Sequence, residues 1–139
     1  MKSWYIYAIL DALFAAIGVI LAKIGLNNIN PLTATAIRAI FITIFVVLVS
    51  FYFEGLSILS SLSNKDILFI ILSAIAGGLS WIFYFIALKY GDVVPVSIID
   101  RSSIIFVIIF SILLLNEKIS TKTIIASILI IVGIYLLSI

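Results

Sequence analysis

The sequence has no cysteine and no histidine among its 139 residues. These absences exclude disulfides, thiolate chemistry, imidazole metal sites and any Ser-His or Cys-His nucleophile, so we expect neither an enzyme nor a bound cofactor or metal. Charge is scarce too, since only 10% of the residues are Asp, Glu, Lys or Arg. So few charges cannot cover the surface of a water-soluble protein of this length. The net charge of +2 comes from Lys and Arg residues that are scattered along the chain and form no basic stripe, which argues against a nucleic-acid partner.

Apolar residues, in contrast, make up 65% of the sequence, and the mean hydropathy is +1.46. Most of them fall into runs that, at about 1.5 Å per residue, match the roughly 30 Å hydrocarbon layer of a bilayer. The sequence therefore predicts an all-α membrane protein, a single domain of five transmembrane helices over residues 4–25, 31–53, 66–88, 94–115 and 121–138. The short connections predict that consecutive helices lie antiparallel.

The breaks between these runs carry residues typical of helix ends. They are Asn30 before Pro31, the Ser63–Asp66 segment as a capping box, Ser120 as an N-cap, and Gly91 followed by Pro95. The longest break, residues 54–65, predicts either an interfacial helical turn or a loop that skims the membrane.

The lysines indicate an orientation. Lys2, Lys65, Lys118 and Lys122 fall on the N-terminal side of the predicted bundle, and only Lys23 and Lys89 flank the other side. This bias favours a cytoplasmic N-terminus, but it is small enough to leave open that some copies insert in the opposite orientation. We interpret the first run as a retained helix, because it is too long for the apolar part of a signal peptide. We expect the Lys23 side chain to extend to the lipid headgroups.

Four ionisable residues fall deep within the predicted spans: Asp11, Arg38, Asp100 and Arg101. Residue counting places Asp11 roughly 10 Å from the N-terminal side and the other three roughly 10 Å from the far side. An inverted second copy would bring its Asp11 to the level of the other three, so that two positive charges meet two negative ones. Because an unpaired buried charge costs several kcal/mol, the depths favour an antiparallel homodimer. A pair between Arg38 and Asp100 is open to two interpretations, an interhelical clamp or a role in transport.

Helical spacing assigns further residues to common faces. A stripe of small residues follows Asp11 on the first helix, namely Ala15, Gly18, Ala22 and Gly25. Such a stripe serves either close helix packing or the wall of a cavity. On the third helix, Trp81 and Tyr84 are candidates for stacking on a substrate or for filling the core. On the fourth, Ser97 and Asp100 share a polar stripe, and Arg101 points about 100° away.

Longer strings resemble the repeat unit of the EamA-type drug/metabolite transporters. They are residues 81–92 (WIFYFIALKYGD), 93–95 (VVP) and 116–120 (NEKIS), together with residues 21–25 and 35–38. In that family an aromatic-rich third helix ends in an Ala-Leu and Gly turn, Val-x-Pro opens the fourth helix, and Gly-Glu-x-hydrophobic-Ser starts the fifth. Asn116 stands where the family usually has Gly. The Asp100-Arg101-Ser102 sequence is similar to that of the short, single-repeat prokaryotic members.

This resemblance implies a subunit of a prokaryotic plasma-membrane transporter. Most relatives fuse two inverted repeats, so a solitary repeat implies pairing with an inverted copy and transport of a small metabolite by alternating access. The four-helix exporters of the superfamily carry an essential Glu that would fall near Ala15, and Asp11, one turn earlier, is the candidate substitute for proton or cation coupling. Arg38, Asp100 and Arg101 are then cavity or gating charges. The alternative is a non-transporting membrane scaffold whose buried charges only fix helix register.

Overall fold

A computed structural model describes residues 4–55 and 63–136, and within these ranges the only regular structure is helical. The helices are α1 (Trp4–Gly25), α2 (Pro31–Glu54), α3 (Asn64–Tyr90), α4 (Val93–Asp100), α5 (Ser103–Leu115) and α6 (Thr121–Leu136). The all-α prediction is confirmed. The chain divides into two compact units, Met1–Tyr90 and Gly91–Ile139, which we describe separately. Most of the 54–65 break lies outside the described residues.

Four apolar stretches in the described residues are long enough to cross a bilayer: α1, Pro31–Phe53 of α2, α3, and Val93–Leu115, which contains α4 and α5. The α6 helix is apolar but has only 16 residues. Large apolar side chains along these helices face outward, such as Leu114, which is 75% exposed. Apolar surface of this extent suits contact with lipid rather than water.

Local capping chemistry fixes the helix starts as the sequence predicts. The Asn30 side chain accepts a hydrogen bond from the Leu32 N–H at 2.9 Å, and Pro31 fills the first position of α2. At α3 the capping box closes in both directions. The Asp66 N–H donates to Ser63 Oγ at 3.2 Å, and the Ser63 N–H donates to the Asp66 carboxylate at 3.3 Å.

The start of α6 and the end of α5 follow the same logic. Ser120 Oγ accepts from the Thr123 N–H at 3.2 Å, which confirms the predicted N-cap. Asn116 ends α5 in the left-handed conformation, with φ of 54°. Asparagine tolerates this conformation better than most residues. Asn116 can therefore replace the glycine that the family pattern has at this position. The turn brings Glu117 back onto α5, where its carboxylate accepts a hydrogen bond from the Ser111 hydroxyl.

The fourth apolar stretch departs from the single continuous helix that we expected. A turn at Arg101 and Ser102 separates α4 from α5. The Arg101 N–H donates to the Ile98 carbonyl at 3.1 Å and the Ser102 N–H to the Ile99 carbonyl at 2.9 Å, so the spacing tightens from four residues to three. Such tightening inside a helix is uncommon and marks a hinge or a strained position. The polar stripe predicted from Ser97 onward therefore does not continue along one straight helix.

In the first unit, α2 runs antiparallel along α3, and the C-terminal ends of α1 and α3 lie together. The buried apolar residues of the described chain, Leu26, Phe85 and Leu88, all belong to this end. Two lysines tie it together, and we call their arrangement the lysine clasp. Lys23 Nζ of α1 donates to the Leu88 carbonyl at 2.6 Å, and Lys89 Nζ of α3 donates to the Leu26 carbonyl at 2.5 Å.

Candidate functional site

The charged side chain that the first unit places against aromatic rings is Arg38. It lies in the second turn of α2 and is half-buried. The carbon at the centre of its guanidinium group lies 5.2 Å from the centroid of the Trp81 ring and 5.4 Å from that of Phe85. Because Trp81 and Phe85 are four residues apart on α3, both rings project from the same face of that helix. They form two cation–π contacts with one guanidinium group.

Small residues make room for Arg38. The third side of the guanidinium faces Gly18 of α1, where an added Cβ atom would lie 3.7 Å from Arg38 Nη2. A bulky side chain at this position would displace the guanidinium from the rings. The first helix therefore contributes space to the site, and the third helix contributes the aromatic surfaces.

Two grooves border this site within the first unit. One, of about 410 Å³, contains Arg38 and Phe85 together with residues of α1 and α2; we call it the α1–α2 groove, and its lining includes Gly18, Ala22, Gly25 and Ala34. The other, of about 580 Å³, contains Trp81; we call it the α2–α3 groove, and its lining includes Thr35, Ala39, Thr43, Ala74 and Gly77. Apart from Arg38, every residue that lines them is uncharged.

The small-residue stripe of α1 divides at this point. Gly18, Ala22 and Gly25 line the α1–α2 groove, and nothing outside the helix lies within 4 Å of a Cβ atom added at Gly25. Of the two functions that the sequence left open, the wall of a cavity fits this part of the stripe better than close helix packing does. Asp11, at the other end of the stripe, lies on an exposed face of α1. Its coupling role stays a prediction.

The remaining candidates are distributed over both units. Tyr84 is part-buried on α3, and Ser97 is part-buried on α4 of the second unit. Asp100 is the last residue of α4, Arg101 begins the turn that follows, and both are exposed. Arg101 lines a groove of about 450 Å³ within the second unit, and Asp100 is absent from that lining. The Arg38–Asp100 clamp involves both units and stays a prediction.

Phe85 is a site residue that the sequence analysis missed. Its side chain is only 2% exposed, and its ring contacts the guanidinium group of Arg38. The signal was present in the sequence, because Phe85 follows Trp81 by four residues, which places both on one face of a helix. Tyr84, which the sequence predicts as a site residue, lies on the neighbouring face of the helix.

Lys23 has a partner that the sequence analysis did not predict. Its ammonium group lies in the lysine clasp, on the carbonyl of Leu88, a residue with no exposed surface. Its extension to the headgroups stays a prediction. The Lys89 ammonium group reaches two further carbonyl groups of the α1 end, at 2.9 Å for Asn27 and 3.4 Å for Ile29. The last carbonyls of a helix lack intrahelical partners and carry the negative end of its dipole, so an ammonium group is the fitting donor.

The lysine clasp positions the site, because it holds α1 against α3 one to two turns from Gly18 and Phe85. It also leaves the guanidinium of Arg38 as the charge that borders the grooves. Within residues 4–55 and 63–136, acidic side chains form no group that could hold a metal ion. What this arrangement can do is bind a small molecule by its charge and its apolar surface.

Comparison with known proteins agrees with this fold. Residues 2–139 match the model of the EamA-like transporter family. A curated relative from Sinorhizobium sp., named as an uncharacterised transporter in the cobO 3′ region, is 38% identical over 119 residues, which cover 86% of this chain and 84% of the relative. No solved structure gives a significant match. The resemblance expected from the sequence is therefore confirmed, and the chain, a membrane protein, belongs to the EamA-like transporter family.

Proposed function

We propose that this chain is one half of a transporter that moves a small polar or amphipathic metabolite across the plasma membrane of a prokaryote. Two copies pack in opposite orientations and alternate access around a cavity near the middle of the membrane. In this arrangement Arg38, Trp81 and Tyr84 line the cavity, with Ser97, Asp100 and Arg101 as further cavity or gating residues. Asp11 couples transport to a proton or another cation.

One observation carries the proposal: the first unit does not neutralise its own deep charges. Within residues 4–55 and 63–90, neither Asp11 nor Arg38 has an ion-pair partner; Asp11 is exposed, and Arg38 contacts aromatic rings. A charge near the centre of a membrane helix costs about 2.5–3.5 kcal/mol on insertion scales, so residues of this kind usually face a partner or an aqueous cavity. A scaffold that used these two charges only to fix the register of α1, α2 and α3 would pair them within the first unit.

The depths of the two charges support the inverted arrangement. Asp11 is seven residues into α1 and Arg38 is seven residues into α2, which begins at the opposite side of the membrane. Each is therefore roughly 10 Å from its own side. Inverting one copy brings its Asp11 to the depth of Arg38 in the other, and a parallel pair leaves them at different levels. In the absence of substrate, each Arg38 then has Asp11 of the other copy as its counter-charge.

Cysteine crosslinking tests the arrangement, and the natural sequence, which has no cysteine, gives a clean background. We choose Asn28→Cys at the far end of the first unit and Asn64→Cys at the start of α3. The 27 residues of α3 separate these two ends by about 40 Å, which a short bis-maleimide cannot span. In an antiparallel dimer, neither single variant crosslinks with itself, and a mixture of the two variants does.

Two controls make this result decisive. The parent chain should give no crosslinked species, and crosslinking in detergent with a dilution series should separate dimers from random collisions. If each variant crosslinked only with itself and the mixture gave no heterologous product, the inverted dimer would be wrong.

Transport itself is tested in proteoliposomes with solutes of different charge, over a range of pH. We expect Asp11→Asn to flatten the pH dependence of uptake, because amide replacement removes the ionisable group and keeps its size. Lys65→Gln, which removes an exposed charge from the same unit, is the matched control. Unchanged pH dependence in Asp11→Asn would remove the coupling role, and the absence of flux for every solute would remove the transport function.

A further inference from the structure

We infer that the Arg38 site selects amphipathic organic monoanions, with the guanidinium group of Arg38 binding a carboxylate and the α1–α2 groove holding an apolar body. The inference rests on the proposed transport function, to which it adds a substrate class. It depends on three features of the first unit: the free edge of the guanidinium group, the single charge at the grooves, and the size and lining of the α1–α2 groove.

The guanidinium group has its hydrogen-bonding edge available. Trp81 and Phe85 contact Arg38 as cation–π partners, which satisfies its charge in part without using its N–H groups. Within residues 4–55 and 63–90, the side chain donates no hydrogen bond to a protein group. Arginine presents its N–H groups as a planar fork that fits a carboxylate with two parallel hydrogen bonds. The geometry around Arg38 therefore leaves its N–H groups available to bind a carboxylate.

The charge count favours a monoanion over a dianion or a cation. Arg38 is the one charged residue in the lining of either groove. A carboxylate would neutralise it, whereas a phosphate monoester would carry a second negative charge into an apolar site with no second cation. A cationic solute would meet Arg38 itself as a like charge. The second copy contributes Asp11 as a competitor for Arg38. An arriving carboxylate displaces Asp11, which then takes up the coupling proton or cation, so that the charges in the cavity still balance.

The α1–α2 groove determines what accompanies the carboxylate. Its volume of about 410 Å³ lies at the small end of the range for ligand sites, which suits a metabolite better than a large drug. The lining next to Arg38 is alanine, glycine, leucine, isoleucine and Phe85. Such a surface offers apolar contact and an aromatic ring but few hydrogen bonds, so a compact hydrocarbon or aromatic body is the matching partner.

Fluorescence of Trp81 gives a direct test that does not depend on transport. The chain has two tryptophans, so Trp4→Phe leaves Trp81, which contacts Arg38, as the only one. In this background we titrate purified dimer with phenylacetate, its uncharged analogue phenylacetamide and the cation 2-phenylethylamine. We expect a saturable change in emission with phenylacetate, at least tenfold weaker binding of the amide, and no binding of the amine at the same site.

Variants then assign the binding to Arg38. We expect Arg38→Gln to weaken phenylacetate binding at least tenfold and Arg38→Lys to weaken it less, because lysine keeps the charge and loses the planar fork. Gly18→Leu, which fills the groove beside the guanidinium without changing any charge, should also abolish binding and provides a second test if Arg38→Gln does not fold. Lys65→Gln should bind like the parent, and Asp11→Asn should bind at least as tightly, because it removes the competitor.

Several results would overturn the inference. They are equal affinity for the acid and the amide, tighter binding of the amine, equal binding in the parent and in a folded Arg38→Gln variant, or no saturable signal with phenylacetate. Flux measurements separate this inference from the transport function. Anion binding without flux would contradict the transport function but not the anion selectivity. Flux of neutral or cationic solutes that persists in Arg38→Gln would contradict the anion selectivity but not the transport function.

Discussion

The lysine clasp makes a quantitative prediction about how the first unit is held together. Lys89→Met removes the ammonium group that joins α3 to the end of α1 and keeps a long, apolar side chain. The change deletes hydrogen bonds of 2.5 Å to the Leu26 carbonyl and 2.9 Å to the Asn27 carbonyl. A hydrogen bond to a charged group contributes about 1.5–3 kcal/mol. Lys89 is only part-buried, so water replaces some of the lost hydrogen bonding. We therefore expect the free energy of unfolding to fall by about 1.5–3 kcal/mol in total.

The same reasoning predicts an effect for the partner lysine and coupling between the two. Lys23→Met deletes the hydrogen bond to the Leu88 carbonyl and should lower the free energy of unfolding by about 1–2 kcal/mol. The two ammonium groups join the same pair of helix ends, so once one is lost the ends separate more easily and the other contributes less. We therefore expect the double variant to lose less than the sum of the single variants.

The assay is reversible unfolding of the purified protein in mixed micelles by titration with a denaturing detergent, followed by circular dichroism at a helical wavelength. Lys65→Met is the control, since Lys65 is an exposed lysine on the same helix. Lys89→Arg should recover part of the stability, because a guanidinium group also donates to carbonyls. If Lys89→Met unfolded within about 0.5 kcal/mol of Lys65→Met, the clasp would not stabilise the unit and the reasoning would be refuted.

Three further substitutions have expected outcomes in the same assay. Gly18→Ala should keep or slightly raise the free energy of unfolding. The Cβ atom of the alanine would lie at an ordinary contact distance of 3.7 Å from Arg38, and alanine favours the helix. A fall of more than about 1 kcal/mol would contradict this. Asn116→Val should cost about 1–2 kcal/mol because of the left-handed backbone, with φ of 54°, whereas Asn116→Gly should cost nothing; equal losses would contradict the role of the conformation. Ser63→Ala should lower the free energy of unfolding by about 0.5–2 kcal/mol, because it opens the capping box with Asp66. Ser63→Thr should keep most of this stability, because threonine retains the hydroxyl group. If Ser63→Ala left the stability unchanged, the capping box would not stabilise α3.

Local chemistry explains how much of the fold could be predicted. The starts of α2, α3 and α6 depend on Asn30, Ser63 and Ser120, whose side chains bond to backbone N–H groups two or three residues away. Interactions between residues so close in sequence can be predicted from the sequence. The break between α4 and α5 could not be predicted in this way, because residues 97–105 contain neither glycine nor proline to mark it.

The candidate site was predicted only in part, for the same reason. Arg38 and Trp81 were identified because a charge and a large amphipathic ring in a membrane span are conspicuous one residue at a time. Their contact, and the participation of Phe85 and Gly18, depend on how α1 and α3 pack around α2. Lys23 shows most clearly that contacts between distant residues cannot be predicted from short motifs. The carbonyl to which it donates belongs to Leu88, 65 residues further along the chain.

The sequence by itself therefore determined the membrane class, the family and the helix caps, and it predicts the depth of each charge. All of these follow from hydropathy, from short motifs and from counting residues along a helix of known rise. Only the tertiary structure decided which faces meet: that Arg38 lies against two ring faces beside open grooves, and that two lysines close the ends of α1 and α3. The physical reason is that helices of similar hydropathy can pack by many faces, and the choice depends on the fit of side chains that are distant in sequence.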